Sequence, residues 1–225
     1  MLAAVGCTAT DDRAAPDPTD GKPSASASAD GAGGAENDGD GPLPGMPATE
    51  QARALLAELK VAPHGSMSGY SRSKFPHWAQ QGEGCDTRET VLERDGTDVR
   101  QNDACRATSG TWVSLYDDEK FTDASELDID HTVPLANAWR SGADTWPQEK
   151  RKEFANDLTR PQLLAVSASS NRSKGDQGPD EWQPPTKTYW CAYGRAWTSV
   201  KSTYELSVTE SEKSMLEQML DTCMS

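Results

Sequence analysis

The stretch Leu127-Asp128-Ile129-Asp130-His131-Thr132-Val133-Pro134-Leu135, read with Ser169-Ser170-Asn171-Arg172-Ser173-Lys174 further on, decides how this chain is organised. Leu127 and Ile129 alternate with Asp128 and Asp130, the period of a half-buried strand. Pro134 then removes a backbone donor and stops the ladder, which leaves Asp130 and His131 at a strand end. Neighbours in a regular strand point to opposite faces, so an adjacent carboxylate and imidazole serve one site only if the chain bends there; the proline supplies that bend. The second segment opens like a helix start, with hydroxyls able to cap free amides and with an amide and two cations close by. It reads as a helix entrance that faces phosphate.

Working outward, Gln162-Leu163-Leu164-Ala165-Val166-Ser167 is apolar enough to be a buried second strand leading straight into Asn171. Asn156 lies between the two halves. The set Asp-Ile-Asp-His-x-Val-Pro, an intermediate Asn, then Asn-Arg-x-Lys-x-Asp resembles the HNH endonuclease signature, and agreement of three separated elements makes the match specific. With Cys85-Asp86-Thr87-Arg88-Glu89 and Trp190-Cys191-Ala192-Tyr193, the chain is similar to secreted actinobacterial proteins of that family over roughly residues 70 to 223. The resemblance implies an α+β fold in which a ββα-metal core is embedded in a mainly helical domain. It implies a divalent cation, Mg²⁺ or Mn²⁺, held by Asp130 and Asn171, with His131 as general base. Asn156 would tie the backbones of the two strands together and so position the histidine. From the residues themselves, Arg172 and Lys174 are expected at phosphate, and Arg88 is a further candidate that could equally pair with Asp86 or Glu89. Asp128 and Asp176 are expected in supporting positions.

Composition bounds this reading. The 225 residues carry a net charge of −14, and residues 1–50, with nine acids and two bases, account for half of it. A broad basic face for nucleic acid is therefore excluded, and phosphate binding has to be local and assisted by a metal. From residue 8 to about 49 the chain is Ala, Gly, Ser, Pro and Asp with almost no large apolar side chain, too little to offset ordering entropy. We read residues 1–49 as a start and disordered linker and 50–225 as one domain. No apolar run is long enough to span a membrane. Small residues before Cys7, followed at once by a polar stretch, resemble the end of a lipoprotein signal, which would place a lipid anchor at Cys7; an incidental cysteine is the equal alternative. Cys85, Cys105, Cys191 and Cys223 are even in number and lack a CxxC pair, which fits disulfides in an exported protein rather than zinc. Of three possible pairings, the sequence-local one, Cys85–Cys105 with Cys191–Cys223, is expected, and the others stay open.

Along the rest of the chain, Thr49 reads as the cap of a short helix, and Asp86 and Glu89 as an acidic variant of the capping box before another. Residues 111–116 have strand character, residues 136–140 and 147–158 are helical, and so are residues 189–204 and 209–220. The loop over residues 70–78 mixes Tyr70, Phe75 and Trp78 with Arg72 and Lys74. Its aromatics read first as anchors of an irregular segment, and base stacking by Tyr70 or Trp78 with phosphate contact by Arg72 or Lys74 is the other reading. His64 and His77 are taken as structural. The function these features support is metal-dependent phosphodiester hydrolysis in nucleic acid, DNA ahead of RNA, by a monomer. The alternatives are a catalytically silent surface binding module and an exported metal-dependent hydrolase of another polymer.

Overall fold

The computed structural model describes residues 41–223, so Cys7 and most of the expected linker lie outside the described residues. The order is α1 (Thr49–Glu58), a 3-10 turn (Arg72–Lys74), β1 (Gln80–Gly82), β2 (Cys85–Asp86), α2 (Thr87–Asp95), β3 (Thr97–Gln101), β4 (Ala107–Val113) and β5 (Lys120–Phe121). There follow β6 (Leu127–His131), α3 (Leu135–Arg140), α4 (Gln148–Ala155), β7 (Leu163–Ser167), α5 (Ala168–Lys174), α6 (Trp190–Thr203) and α7 (Glu210–Asp221). Helices and small antiparallel sheets make this an α+β fold. The sheets are β1-β2, β3-β4-β5 and β6-β7.

The sheet that matters most is β6-β7. Its register is unbroken from Leu127 opposite Ser167 to His131 opposite Leu163, and α5 begins at the next residue. The alternation of β6 is used on both faces. Leu127 and Ile129 pack with Val91, Leu92, Trp112, Leu163 and Ala165 in a small apolar cluster beneath α2. Asp128 and Asp130 point the other way, towards α5. The larger core gathers α1, α3, α6 and α7 around Trp197, Tyr193, Phe154 and Phe75.

Local signals account for several element ends. Asp86 caps α2 by accepting from the Glu89 amide at 3.0 Å, but Glu89 does not reach back; its carboxylate accepts from the Arg88 guanidinium and the Ala107 amide. Thr209 and Glu212 form both halves of a capping box on α7. Ala48, not Thr49, precedes α1, and no side chain caps that helix. Strand β4 ends at Val113, short of the expected 116, because residues 114–119 fold into a turn closed by the Ser114 amide on the Glu119 carbonyl; that turn sends Tyr116 inward. The helix expected over 147–158 stops at Ala155. Packing also begins before residue 50, since Leu43 and Met46 are buried in the core; two well-placed apolar side chains suffice where average composition suggests none. The disulfides are Cys85–Cys105 and Cys191–Cys223, with Cα atoms 5.1 and 4.9 Å apart. Among the described residues no helix is long and apolar enough to cross a membrane.

Candidate active site

Because side chains alternate along β6, Asp128 and Asp130 share the face covered by α5, and residues three apart on that helix reach one each. Asn171 donates from Nδ2 to Asp128 Oδ2 at 3.1 Å. Lys174 donates to Asp130 Oδ2 at 2.6 Å and to the His131 carbonyl at 2.8 Å. The same Asp130 oxygen accepts the Tyr116 hydroxyl at 2.5 Å. With Oδ2 taken by two donors, Oδ1 is the oxygen of Asp130 left for a ligand. Likewise, Asn171 spends its amide nitrogen on Asp128 and keeps its carbonyl oxygen.

His131 faces the opposite way, and no bend breaks the strand before it. Its Nε2 lies 3.0 Å from the Ala155 carbonyl. A carbonyl only accepts, so Nε2 carries the proton and Nδ1 holds the lone pair. Trp78 stacks on the ring, centroids 6.0 Å apart and planes 29° off parallel. Trp78 itself has φ of 59°, the left-handed region that costs an ordinary residue about 1 kcal/mol or more. Burial drives the His131 pKa down to about 3; the Ala155 carbonyl opposes this, while the charges of Arg72, Lys174 and His77 add to it. The imidazole is therefore neutral at physiological pH, by a wider margin than its ordinary value of 6.5 implies.

Although they leave the strand on opposite sides, Asp130 and His131 border one cavity of about 270 Å³, which Asn171, Arg172, Asp176, Tyr70 and Arg72 also line. Arg172 is well exposed there, its Nε 3.7 Å from Asp128. Asp176 is held by Arg140, which donates to its carboxylate at 2.9 Å and to its carbonyl at 2.6 Å. Asp130 and Asn171 offer two hard oxygens beside open space, a donor set suited to a Mg²⁺-like ion that keeps several waters. Among the described residues no three His, Cys, Asp or Glu side chains converge as a closed zinc site would need.

Three expected positions differ. Lys174 has no exposed surface; it lies inside as the counter-charge of Asp130 and does not reach the solvent side where phosphate would lie. Arg88 spends its guanidinium on the carbonyls of Ala124 and Leu127 and on Glu89, clamping the entry to β6 outside the cavity. Asn156 does not join the two strands, which already pair through a complete ladder. Its Oδ1 accepts from the Ala79 amide and the Thr87 hydroxyl, and its Nδ2 donates to the carbonyls of Pro76 and Lys152. It thereby fastens the segment that carries Trp78 over His131. Of the loop residues weighed for nucleic acid, Tyr70 and Arg72 line the cavity while Trp78 and Lys74 do not; sequence reasoning missed Tyr116, and nothing local marks it as a partner of Asp130.

Residues 86–219 match the model of the C-terminal domain of GmrSD restriction endonucleases. The chain is 55% identical over 180 residues, 80% of its own length and 88% of the relative's, to a protein of the fungus Arthroderma benhamiae described as an uncharacterized secreted protein. That relative is fungal, and neither comparison bears on an actinobacterial grouping. No solved structure matches. With 134 consecutive residues matched, among them Asp130, His131, Asn156 and Asn171, the chain belongs to the family of GmrSD restriction endonuclease C-terminal domains.

Proposed function

We propose that this chain is a metal-dependent endonuclease of the HNH type that hydrolyses phosphodiester bonds in nucleic acid outside the cell. The observation that carries the reading is the convergence of Asp130, His131, Asn171 and Arg172 on one cavity. Membership of a family named for restriction endonucleases supports it, and the two disulfides, together with a relative described as secreted, support an oxidising, extracellular setting.

Asp130 Oδ1 and the Asn171 amide oxygen would hold Mg²⁺ or Mn²⁺, with water and substrate oxygens completing the shell. Such an ion, when bound, would supply a charge sink for the phosphate and the departing oxygen. His131 enters neutral with its lone pair on Nδ1, fixed by the Ala155 carbonyl, and takes a proton from the attacking water. The water oxygen bonds to phosphorus, the bond from phosphorus to the sugar oxygen breaks, and that oxygen leaves to be protonated from solvent. Lys174 and Tyr116 hold Asp130 in one orientation. Arg172 faces the cavity and contacts phosphate.

A plasmid-nicking assay with Mg²⁺, repeated with EDTA and with His131→Ala, tests this. Cleavage should require the ion and fall by at least about a hundredfold in the variant, the lower end for loss of a general base. Calorimetric metal binding should persist in His131→Ala and weaken in Asp130→Ala and Asn171→Ala. Cleavage by His131→Ala within a few-fold of wild type would sink the assignment.

A further inference from the structure

Two of the residues that line the cavity, Tyr70 and Arg72, belong to the stretch 70–79, which precedes the family-matched segment 86–219. This stretch has almost no regular structure, yet it is pinned at several points. Phe75 is fully buried against Trp139 and Phe154. Arg151 donates from Nε to the Lys74 carbonyl at 3.0 Å. Asn156 grips both the Pro76 carbonyl and the Ala79 amide.

The turn Arg72–Lys74 therefore stands on a fixed base, and its two cations are treated differently. Lys74 lays its ammonium over the Trp139 ring, 4.9 Å from the centroid. Arg72 is exposed on the cavity rim, and its guanidinium has no hydrogen bond or ion pair with any described residue. In a chain of net charge −14, where carboxylates outnumber cations, a guanidinium held beside a hydrolytic site without a carboxylate partner is placed for an anion from outside. Arg172 flanks the same cavity from α5, so the two guanidinium groups border it from separate elements.

We propose that Arg72 is a substrate-binding residue, contacting a backbone phosphate next to the scissile bond from an element separate from the one that carries Arg172. A planar fork of five donors suits a phosphate oxygen pair. The site would then depend on a segment that the family-matched region does not contain. This inference rests on the nuclease reading and deepens it.

The test measures binding of duplex oligonucleotide by fluorescence anisotropy in a His131→Ala background, from low to moderate salt, alongside wild-type cleavage. Arg72→Ala should weaken binding about fivefold to tenfold, the scale of one exposed charged contact, and make the slope of log affinity against log salt shallower by about 0.9. Arg72→Lys should restore the slope, because it restores the charge, but only part of the affinity. In the active enzyme, Arg72→Ala should raise KM by a similar factor and leave kcat within about twofold, the pattern of lost uniform binding. A merely structural role would not move the salt slope. Wild-type cleavage together with an unchanged slope and affinity within twofold in Arg72→Ala overturns the inference alone. Absence of cleavage by the wild type overturns the nuclease reading, and the inference with it.

Discussion

Replacing Lys174 by Met removes a fully buried ammonium whose nitrogen lies 2.6 Å from Asp130 Oδ2. At an effective dielectric constant of about 20, two unit charges at that separation attract by roughly 6 kcal/mol. Desolvating the two ions costs several kcal/mol each, so the intact pair contributes little net stability. Taking away one partner is another matter. Asp130 would keep its burial and retain only the Tyr116 hydroxyl, and a buried charge left without its partner costs about 3–5 kcal/mol. That is a large share of the 5–15 kcal/mol by which domains of this size are stable. Urea unfolding at pH 7, followed by tryptophan fluorescence, should show this loss for Lys174→Met. The double variant Lys174→Met/Asp130→Asn, which removes both charges, should be the more stable of the two by about 2 kcal/mol, because no lone ion remains. Since the ammonium never meets solvent, Lys174→Met should also leave the salt slope of nucleic-acid binding unchanged in the fraction that is folded. A cost under about 1 kcal/mol, or additivity of the two substitutions, would refute the buried-pair argument.

Asn156→Ala should loosen the segment carrying Trp78; we expect a loss of about 1–3 kcal/mol in stability from unsatisfied partly buried groups and a fall in kcat larger than the rise in KM, measured by steady-state cleavage. Reducing the disulfides, which close loops of 20 and 32 residues, should remove about 3–4 kcal/mol each, read as a lower melting temperature in dithiothreitol; thiol titration of the unreduced, denatured protein should find none of these four cysteines free. Glu212 is fully buried; burial by itself raises its pKa, but Lys201, Asn137 and the Thr209 amide outweigh that and hold it below the ordinary 4.5. A carboxyl depressed in the folded state contributes stability that is complete above about 4.5 and is lost as pH falls through its folded value. The urea midpoint should therefore drop from pH 5 towards pH 3, and drop less steeply in Glu212→Gln; equal slopes in the two proteins would count against it.

Much of the site's scaffold is written in short-range pattern. Alternation of Leu127, Asp128, Ile129 and Asp130 is enough to place two carboxylates on one strand face, and Asn171 and Lys174, three residues apart, fall on one side of a helix wherever that helix packs. Capping by Asp86 and by Thr209 with Glu212 is equally local, since each bond spans three residues. Even the disulfides follow proximity along the chain. Tertiary packing decided the rest. Lys174 and Arg172 look alike in sequence, yet the face of α5 that meets β6 buries one and exposes the other; a change of solvent exposure converts a phosphate ligand into the counter-ion of Asp130. Tyr116 lies 14 residues from Asp130, Ala155 24 from His131, and Pro76 80 from Asn156. No periodicity encodes partners at such separations, because a hydrogen bond depends on where two surfaces dock and not on what stands next in the chain. By itself the sequence determined which groups could perform the chemistry; the docking of residues 70–79 and α5 about β6 determined which of them face the cavity and which serve only to hold the others.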